Sequence, residues 1–296
     1  MEIRYLKPNE FYDLRELLDG VFGRRDNTGP RFAGLFPRFF AEPNNYVTDS
    51  HLGAFDGDRL IGTAGIYKLD YVIGGEHIKL LGNGNIAVHE DYQGKGVMSR
   101  LNDAVNAECD KIGDVGYLHG KPDRYGRWDY IGNGIQYELI FNPTELNGYE
   151  FVKLEDSHVD FCRELSHKKV DYIIRRREDF EPAMRSGNRE AIAVLKNGNL
   201  KGFLSLKREW GFIEEYGFDG EIETEVFGAL GCALGRTVKA RVSGYDLRTV
   251  KRLEPIATAV NTSEPALFRI INPDRLKEAA RAAGVDESVI YAPYLT

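Results

Sequence analysis

The sequence predicts an α/β protein: a mixed, mostly antiparallel sheet with flanking helices, built twice in succession. Three observations carry this. Residues 51–91 read as three consecutive β segments, "HLGAFD", "RLIGTAGIYKLDYVI" and "HIKLLGNGNIAVHED", joined by glycine-containing turns. A glycine loop and an amphipathic helix follow at once in "QGKGVMSRLNDAV". From about Gly148 the order of hairpin, strand, helix, strand, helix and strand recurs, without the glycine loop.

The elements can be justified in order. Residues 3–6 read as a short strand, and Phe11, Leu14, Leu17, Leu18 and Val21 then follow a helical period. Residues 24–46 are rich in Gly, Pro, Arg and Phe. They read either as a loop and broken helix packing Phe32, Phe36, Phe39 and Phe40 into the core, or as a lid over a substrate. Asp56-Gly57-Asp58 and Gly74-Gly75-Glu76 supply the positive φ that hairpin turns require, which makes the three β segments an antiparallel meander. Met98, Leu101, Val105, Cys109 and Ile112 recur at three- and four-residue spacing until Gly113. The strand "VGYLHG" beyond that helix needs a crossover and is expected to run parallel to the strand before it, and a strand over residues 135–141 completes a mixed sheet.

In the second half, "DFCRELSHKKVDYIIRR" reads as a helix, a hairpin turns at Asn197-Gly198-Asn199, and "EVFGALGCALGR" is a helix. "VKARVSGY" follows as a strand, "LRTVKRLEPIATAVN" as a helix and "ALFRIINP" as a strand, with a last helix from Pro273. The expected division is a catalytic domain over residues 1–147 and a second, non-catalytic one over 148–296, each about 150 residues.

Composition excludes several functions. Three cysteines, Cys109, Cys162 and Cys232, lie far apart without a CxxC pair, and the six histidines show no HExxH spacing, so no metal is expected. A net charge of −7 argues against a general nucleic-acid binder. No run of about 18 apolar residues suits a membrane span. The start, "MEIRYLKPNE", lacks a secretion-signal pattern, which reads as cytoplasmic residence.

A strand, a glycine loop and a helix start in that order form an anion cradle. The first amides of a helix lack internal partners, the helix dipole adds positive character there, and glycines allow close approach. Gln93-Gly94-Lys95-Gly96-Val97-Met98 resembles the (Gln/Arg)-x-x-Gly-x-(Gly/Ala) motif of the GNAT superfamily of N-acetyltransferases, with Met98 where a small residue is usual. "RYGRWDYIG" is similar to a run in the enhanced intracellular survival (Eis-like) branch, with Asp129 in the place of a glycine. The resemblance implies a GNAT-type sheet, duplicated as a second GNAT-like domain, and a full third, sterol-carrier-like domain is expected to be lacking. It implies acetyl-CoA as co-substrate, bound by Ile86, Ala87 and Val88 of the strand and by Gln93, Gly94, Lys95, Gly96, Val97, Met98 and Ser99 of the loop and helix start. Tyr125 falls on the family's catalytic tyrosine. Self-association is implied by the branch as well.

The chemistry of acetyl transfer sets matching demands. A backbone amide of the strand ending at Val88 suits the carbonyl oxygen, and the Tyr125 phenol suits protonation of the leaving thiolate. The amine loses its proton through water, with His119 or Glu90 as candidate bases. Acceptors implied by the branch are polyamine-like, aminoglycoside-like or lysine amines of a small molecule or peptide. The alternative is a CoA-sensing or assembly module without turnover. A P-loop nucleotide site is disfavoured because "GKGVMS" lacks Gly-Lys-Ser/Thr.

Overall fold

The chain begins with strand β1 (Glu2–Tyr5) and helix α1 (Phe11–Gly23), whose Phe11, Leu14, Leu17 and Leu18 recur at helical spacing and are all buried. The computed structural model describes residues 1–23, 32–264 and 266–286, so residues 24–31 of the proposed lid lie outside the described residues. Short helices α2 (Phe32–Leu35), α3 (Pro37–Phe40) and α4 (Asn45–Asp49) come next. The Asn44 side chain caps α4 by accepting from Val47 N at 3.0 Å. Strands β2 (His51–Asp56), β3 (Arg59–Ile73) and β4 (Glu76–Val88) form the meander, turned by Gly57 at φ 59° and by Gly74 and Gly75 at φ 58° and 91°. Helix α5 (Val97–Ile112) crosses to β5 (Val115–Leu118), followed by α6 (Pro122–Tyr125) and β6 (Ile131–Asn133).

The remainder runs β7 (Gln136–Phe141), β8 (Tyr149–Lys153), α7 (Asp156–Ser166), β9 (Asp171–Ile173), α8 (Arg177–Arg185), β10 (Glu190–Lys196) and β11 (Asn199–Lys207). Then come β12 (Phe212–Phe218), α9 (Glu223–Leu234), β13 (Val238–Ser243), α10 (Leu247–Leu253), β14 (Ala259–Ser263), β15 (Ala266–Ile270) and α11 (Pro273–Ala282).

Among the described residues the chain forms two units. One is drawn from residues 1–70, 78–132 and 266–273, the other from 71–77, 133–265 and 274 onward. The first sheet has the order β1-β2-β3-β4-β5-β15-β6 and the second the order β8-β10-β11-β12-β13-β7-β14. The two orders correspond position by position, and each holds a parallel pair, β4 with β5 and β12 with β13. The fold is therefore a mixed α/β one with two sheets of matching strand order.

The first sheet takes two strands from the later half of the chain, β15 and β9, and the second takes β7 from the earlier half. β15 pairs with β5 in the first sheet, from Leu267↔Leu118 to Ile270↔Val115. β7 pairs with β13 in the second, from Val238↔Phe141 to Ser243↔Gln136, although the sequence places residues 135–141 in the first. The pattern along β7 names a strand but not its neighbour, because alternation is the same in either sheet. Two segments read as helical contain strands. Residues 171–173 form β9, which pairs with Tyr71–Ile73, and residues 259–263 form β14, which pairs with β7. In both, the helix ends a few residues earlier and an extended edge strand takes over. Strands β8 and β12 and helix α8 were not anticipated; α8 holds an interior Pro182, which masks a helical pattern.

Two clusters flank the first sheet. α1, Phe32, Phe40 and Val47 pack with Phe55, Leu60 and Ala87, while Val97, Leu101, Val105 and Cys109 of α5 pack with Ala64, Ile66 and Leu81. Ile86 and Val88 side with α5 whereas Ala87 between them sides with α1, as strand alternation requires. Gly113 ends α5 in an extended conformation, φ −114°, and the position takes a glycine because a Cβ there would lie 2.2 Å from Leu81 Cδ1. No helix among the described residues is long and apolar enough to cross a membrane.

In the second unit Asp171 is buried and accepts at Oδ2 from Tyr71 Oη at 2.5 Å and from Ser243 Oγ at 2.7 Å. Burial pushes its carboxyl up to about 6, against the lowering pull of those two donors. The folded state therefore holds a proton that the unfolded chain releases near pH 4, a value typical of free aspartate at about 3.9, so stability falls as pH rises from about 4 to about 6. Asp171→Asn should flatten that slope in a melting-temperature series and raise stability at pH 7 by roughly 2–3 kcal/mol. A slope unchanged in the variant would assign it to another group.

Candidate functional site

Four residues of β4, Gly82-Asn83-Gly84-Asn85, govern the local geometry. β4 pairs in parallel with β5 at only three positions, Leu80↔Val115, Leu81↔Gly116 and Gly82↔Tyr117, yet continues to Val88. Asn85 takes φ 53°, a left-handed kink that few residues other than glycine adopt. Gly82 leaves room for a ring: a Cβ there would lie 2.8 Å from Tyr117 Oη. Gly84 does the same for Tyr67, whose Cε2 would be 3.3 Å from such a Cβ. The last residues of β4 thus present a backbone edge without a β5 partner.

Beyond Val88 a 3-10 turn at Glu90–Tyr92 leads into the glycine loop. Gly94 and Gly96 have φ 75° and 78°, and nothing stands within 4 Å of the position a Cβ would take at either. Gly96 is the N-cap of α5, and the first bond of the helix runs from Arg100 N to Gly96 O at 3.2 Å. The amides of Val97, Met98 and Ser99 precede that bond, so they have no acceptor inside the helix. Gln93 Nε2 donates to Val88 O at 3.2 Å and ties the loop to the strand end. Lys95 is exposed, its ammonium 5.1 Å from the Tyr92 ring centroid.

Tyr125, at the end of α6, is 7% exposed and packs with Leu118, Tyr130 and Leu267, with Ile86 of β4 and Met98 of α5 at the margin of the same cluster. Gly120 admits it, since a Cβ there would fall 2.4 Å from Tyr125 Cε2. Burial pushes the phenol above its ordinary value, with Arg124 opposing, so Tyr125 is protonated at neutral pH. His119 is exposed and its ring meets that of Tyr117 edge-on at 6.5 Å. The fold brings Tyr125, Ile86 and Met98 together and leaves His119 beside Tyr117.

Residues 2–130 match the family model described as Acetyltransferase (GNAT) domain. No curated protein matches the chain. A GCN5-related N-acetyltransferase of Kribbella flavida is similar in structure, with TM-score 0.65 at 17% identity over 94% of this chain and 73% of that one. Eis1 of Mycobacterium abscessus is similar at TM-score 0.59 and 13% identity, over 94% and 76%. A conserved protein of Enterococcus faecalis V583 aligns at TM-score 0.66 and 14% identity, over 94% and 74%. The fold is of the GNAT acetyltransferase type.

Sequence reasoning missed a polar cluster on the opposite side of the kink. His51 of β2 is fully buried, and its Nδ1 lies 2.7 Å from Val47 O, which can only accept. Nδ1 therefore carries the proton and Nε2 is bare. Two donors face that Nε2, Tyr67 Oη at 3.2 Å and Asn85 Nδ2 at 3.4 Å, and Asn85 Nδ2 also donates to the Tyr67 oxygen. Burial lowers the imidazole to about 4, so the ring stays neutral and this polarity holds at neutral pH. The glycine-asparagine alternation within a strand was the available signal, since interior glycines mark bulges and close approach.

A cleft of about 600 Å³ lies beside the loop, lined by Asp13, Glu16, Asp58, Arg59, His89, Glu90 and Gln93 among others. Its carboxylates would repel a polyphosphate; Gln93 of the loop lines it, whereas Gly94, Gly96 and Tyr125 are not among its lining residues. Among the described residues, the corresponding place in the second unit is filled by ion pairs. There β12 pairs with β13 only at Phe212↔Lys239 and Ile213↔Ala240, and the next two residues, Glu214 and Glu215, are buried. Arg175 grips Glu215 with two bonds of 2.9 Å, and Lys207 and Arg241 bind Glu214. Glu223 and Glu225 in the first turn of α9 oppose an anion at that helix start.

Gly94→Ala and Gly96→Ala should each cost about 1 kcal/mol from left-handed strain alone, because no atom stands in the way. Denaturant titration reads this. A loss several times larger would mean that the loop is packed and not open.

Proposed function

We propose that the first unit is an acetyl-CoA-dependent N-acetyltransferase that moves the acetyl group directly to an amine of a small molecule or peptide. The observation that carries this is the open, left-handed Gly94 and Gly96 turn at the N-terminus of α5, immediately beyond a strand edge that β5 does not cover. Acetyl-CoA supplies an activated thioester. Residues 94–99 offer amides and a helix dipole to its pyrophosphate, a role for which backbone donors need no side-chain cation. Residues 86–88 offer the strand edge to its amide-bearing arm, and a β4 amide stabilises the carbonyl oxygen as charge develops there. Tyr125, buried, protonated and beside Ile86 and Met98, gives its proton to the departing thiolate. The family match over residues 2–130 supports the same reading. The second unit, with ion pairs where the first has an open edge, has a structural role.

Calorimetric titration with acetyl-CoA tests the cradle. Micromolar binding is expected, and Gly96→Glu should abolish it by putting a carboxylate among the amides. No binding to the wild type would overturn the proposal. Tyr125→Phe should leave acetyl-CoA affinity within about twofold while lowering kcat by roughly 10²-fold, the range for loss of a general acid. Unchanged kcat would remove Tyr125 from the reaction, and binding without turnover on any amine would favour a CoA-sensing module.

A further inference from the structure

The hydrogen bonds around Tyr67 have a fixed direction. Val47 O accepts from His51 Nδ1, so His51 Nε2 can only accept; of the two donors that face it, Asn85 Nδ2 at 3.4 Å and Tyr67 Oη at 3.2 Å, the hydroxyl is the nearer, and the Tyr67 proton is assigned to it. The Tyr67 oxygen can then only accept, and among the described residues Asn85 Nδ2 takes one of its two lone pairs. Gly65 makes this possible, since a Cβ there would come within 2.9 Å of His51 Nε2. Rings surround the phenol. The Phe39 centroid is 5.6 Å from that of Tyr67 and 5.7 Å from that of Tyr46, which stacks on Phe39 at 19° and is 43% exposed. Tyr46 and Tyr117 both lie close enough to raise the Tyr67 phenol further above its ordinary value.

We propose that Tyr67 is the hydrogen-bond acceptor for an N–H of the acceptor amine, which enters between the rings of Phe39, Tyr46 and Tyr117 at the Asn85 kink. The assignment of this amine as a reactant rests on the acetyltransferase reading. The chemistry selects a primary or secondary amine on an apolar stem. Aromatic faces attract a cation and bury a hydrocarbon chain, and an acceptor-only oxygen distinguishes a group bearing N–H from one without. Cluster and cradle are reached from opposite faces of β4: Leu81 packs with α5, whereas Gly82 and Gly84 face Tyr117 and Tyr67. The donor and the amine can thus meet at the uncovered edge.

The experiment is calorimetry with n-hexylammonium and N,N,N-trimethylhexylammonium, probes of equal charge of which only the first has N–H. Wild type should prefer hexylammonium by about tenfold or more, the range for a hydrogen bond to a charged group. Tyr67→Phe, which keeps the ring, should bring the ratio to about one, and Phe39→Leu should weaken both probes and leave the ratio. A wild-type ratio near one, absence of binding, or a ratio retained in Tyr67→Phe overturns the proposal. Acetyl-CoA is titrated into the same preparation: its failure to bind would overturn the acetyltransferase reading without altering the probe ratio.

Discussion

The parting of β4 from β5 after three residue pairs is the constraint on which the site depends. Parallel strands normally continue side by side because every backbone group they leave unpaired has to find water or another partner. Here the left-handed Asn85 turns the ladder aside, and Gly82 and Gly84 let tyrosine rings stand where side chains would otherwise fill the gap. The result is a strand edge inside a well-packed unit, with Tyr125 approached from the α5 side and Tyr67 from the other. A β4 of ordinary residues would close the edge and leave only a helix start.

The second sheet has the same topology with different residues at the place where its parallel strands part. β12 leaves β13 after two pairs, with a register shift between β11 and β12 at the corresponding place. There the chain inserts Glu214 and Glu215 and neutralises them with Arg175, Lys207 and Arg241. Buried pairs of this kind contribute little net stability against desolvation, but losing one partner leaves an uncompensated charge. The reciprocal placement of β7 and β15 further means that each sheet needs the other half of the chain to be complete.

Legibility in the sequence followed the range of the cause. The meander, its two glycine turns, α5 and the Gly94–Gly96 loop were readable because each depends on residues within one turn or hairpin of each other. The exchange of β7 and β15 was not, since Phe141 pairs with Val238 and Leu118 with Leu267, far along the chain, and alternation carries no address. The same holds within the site. The loop announces itself as a local motif, whereas His51, Tyr67 and Asn85 are drawn from three strands and meet only once β2, β3 and β4 are in register. Tyr125 was reachable through its neighbourhood run, but nothing local shows that Gly120 opens the space for it.

Charge explains why the two sides of the proposed reaction are recognised by different means. The chain carries −7, and carboxylates of Asp13, Glu16, Asp58 and Glu90 line the cleft beside the loop. A field of that sign draws a cationic amine in and opposes a polyphosphate at long range. The phosphate side must then be held at short range by dipoles that do not depend on net charge, which is what unpaired helix amides provide. The amine side needs no carboxylate in contact, because attraction has already been supplied by the surface; it needs discrimination, and a phenol oxygen whose proton is committed to a buried neutral imidazole supplies that. A carboxylate in place of Tyr67 would bind the ammonium more strongly and hold it in the protonated form, which cannot attack a thioester. A neutral acceptor binds the cation weakly and leaves the free base accessible.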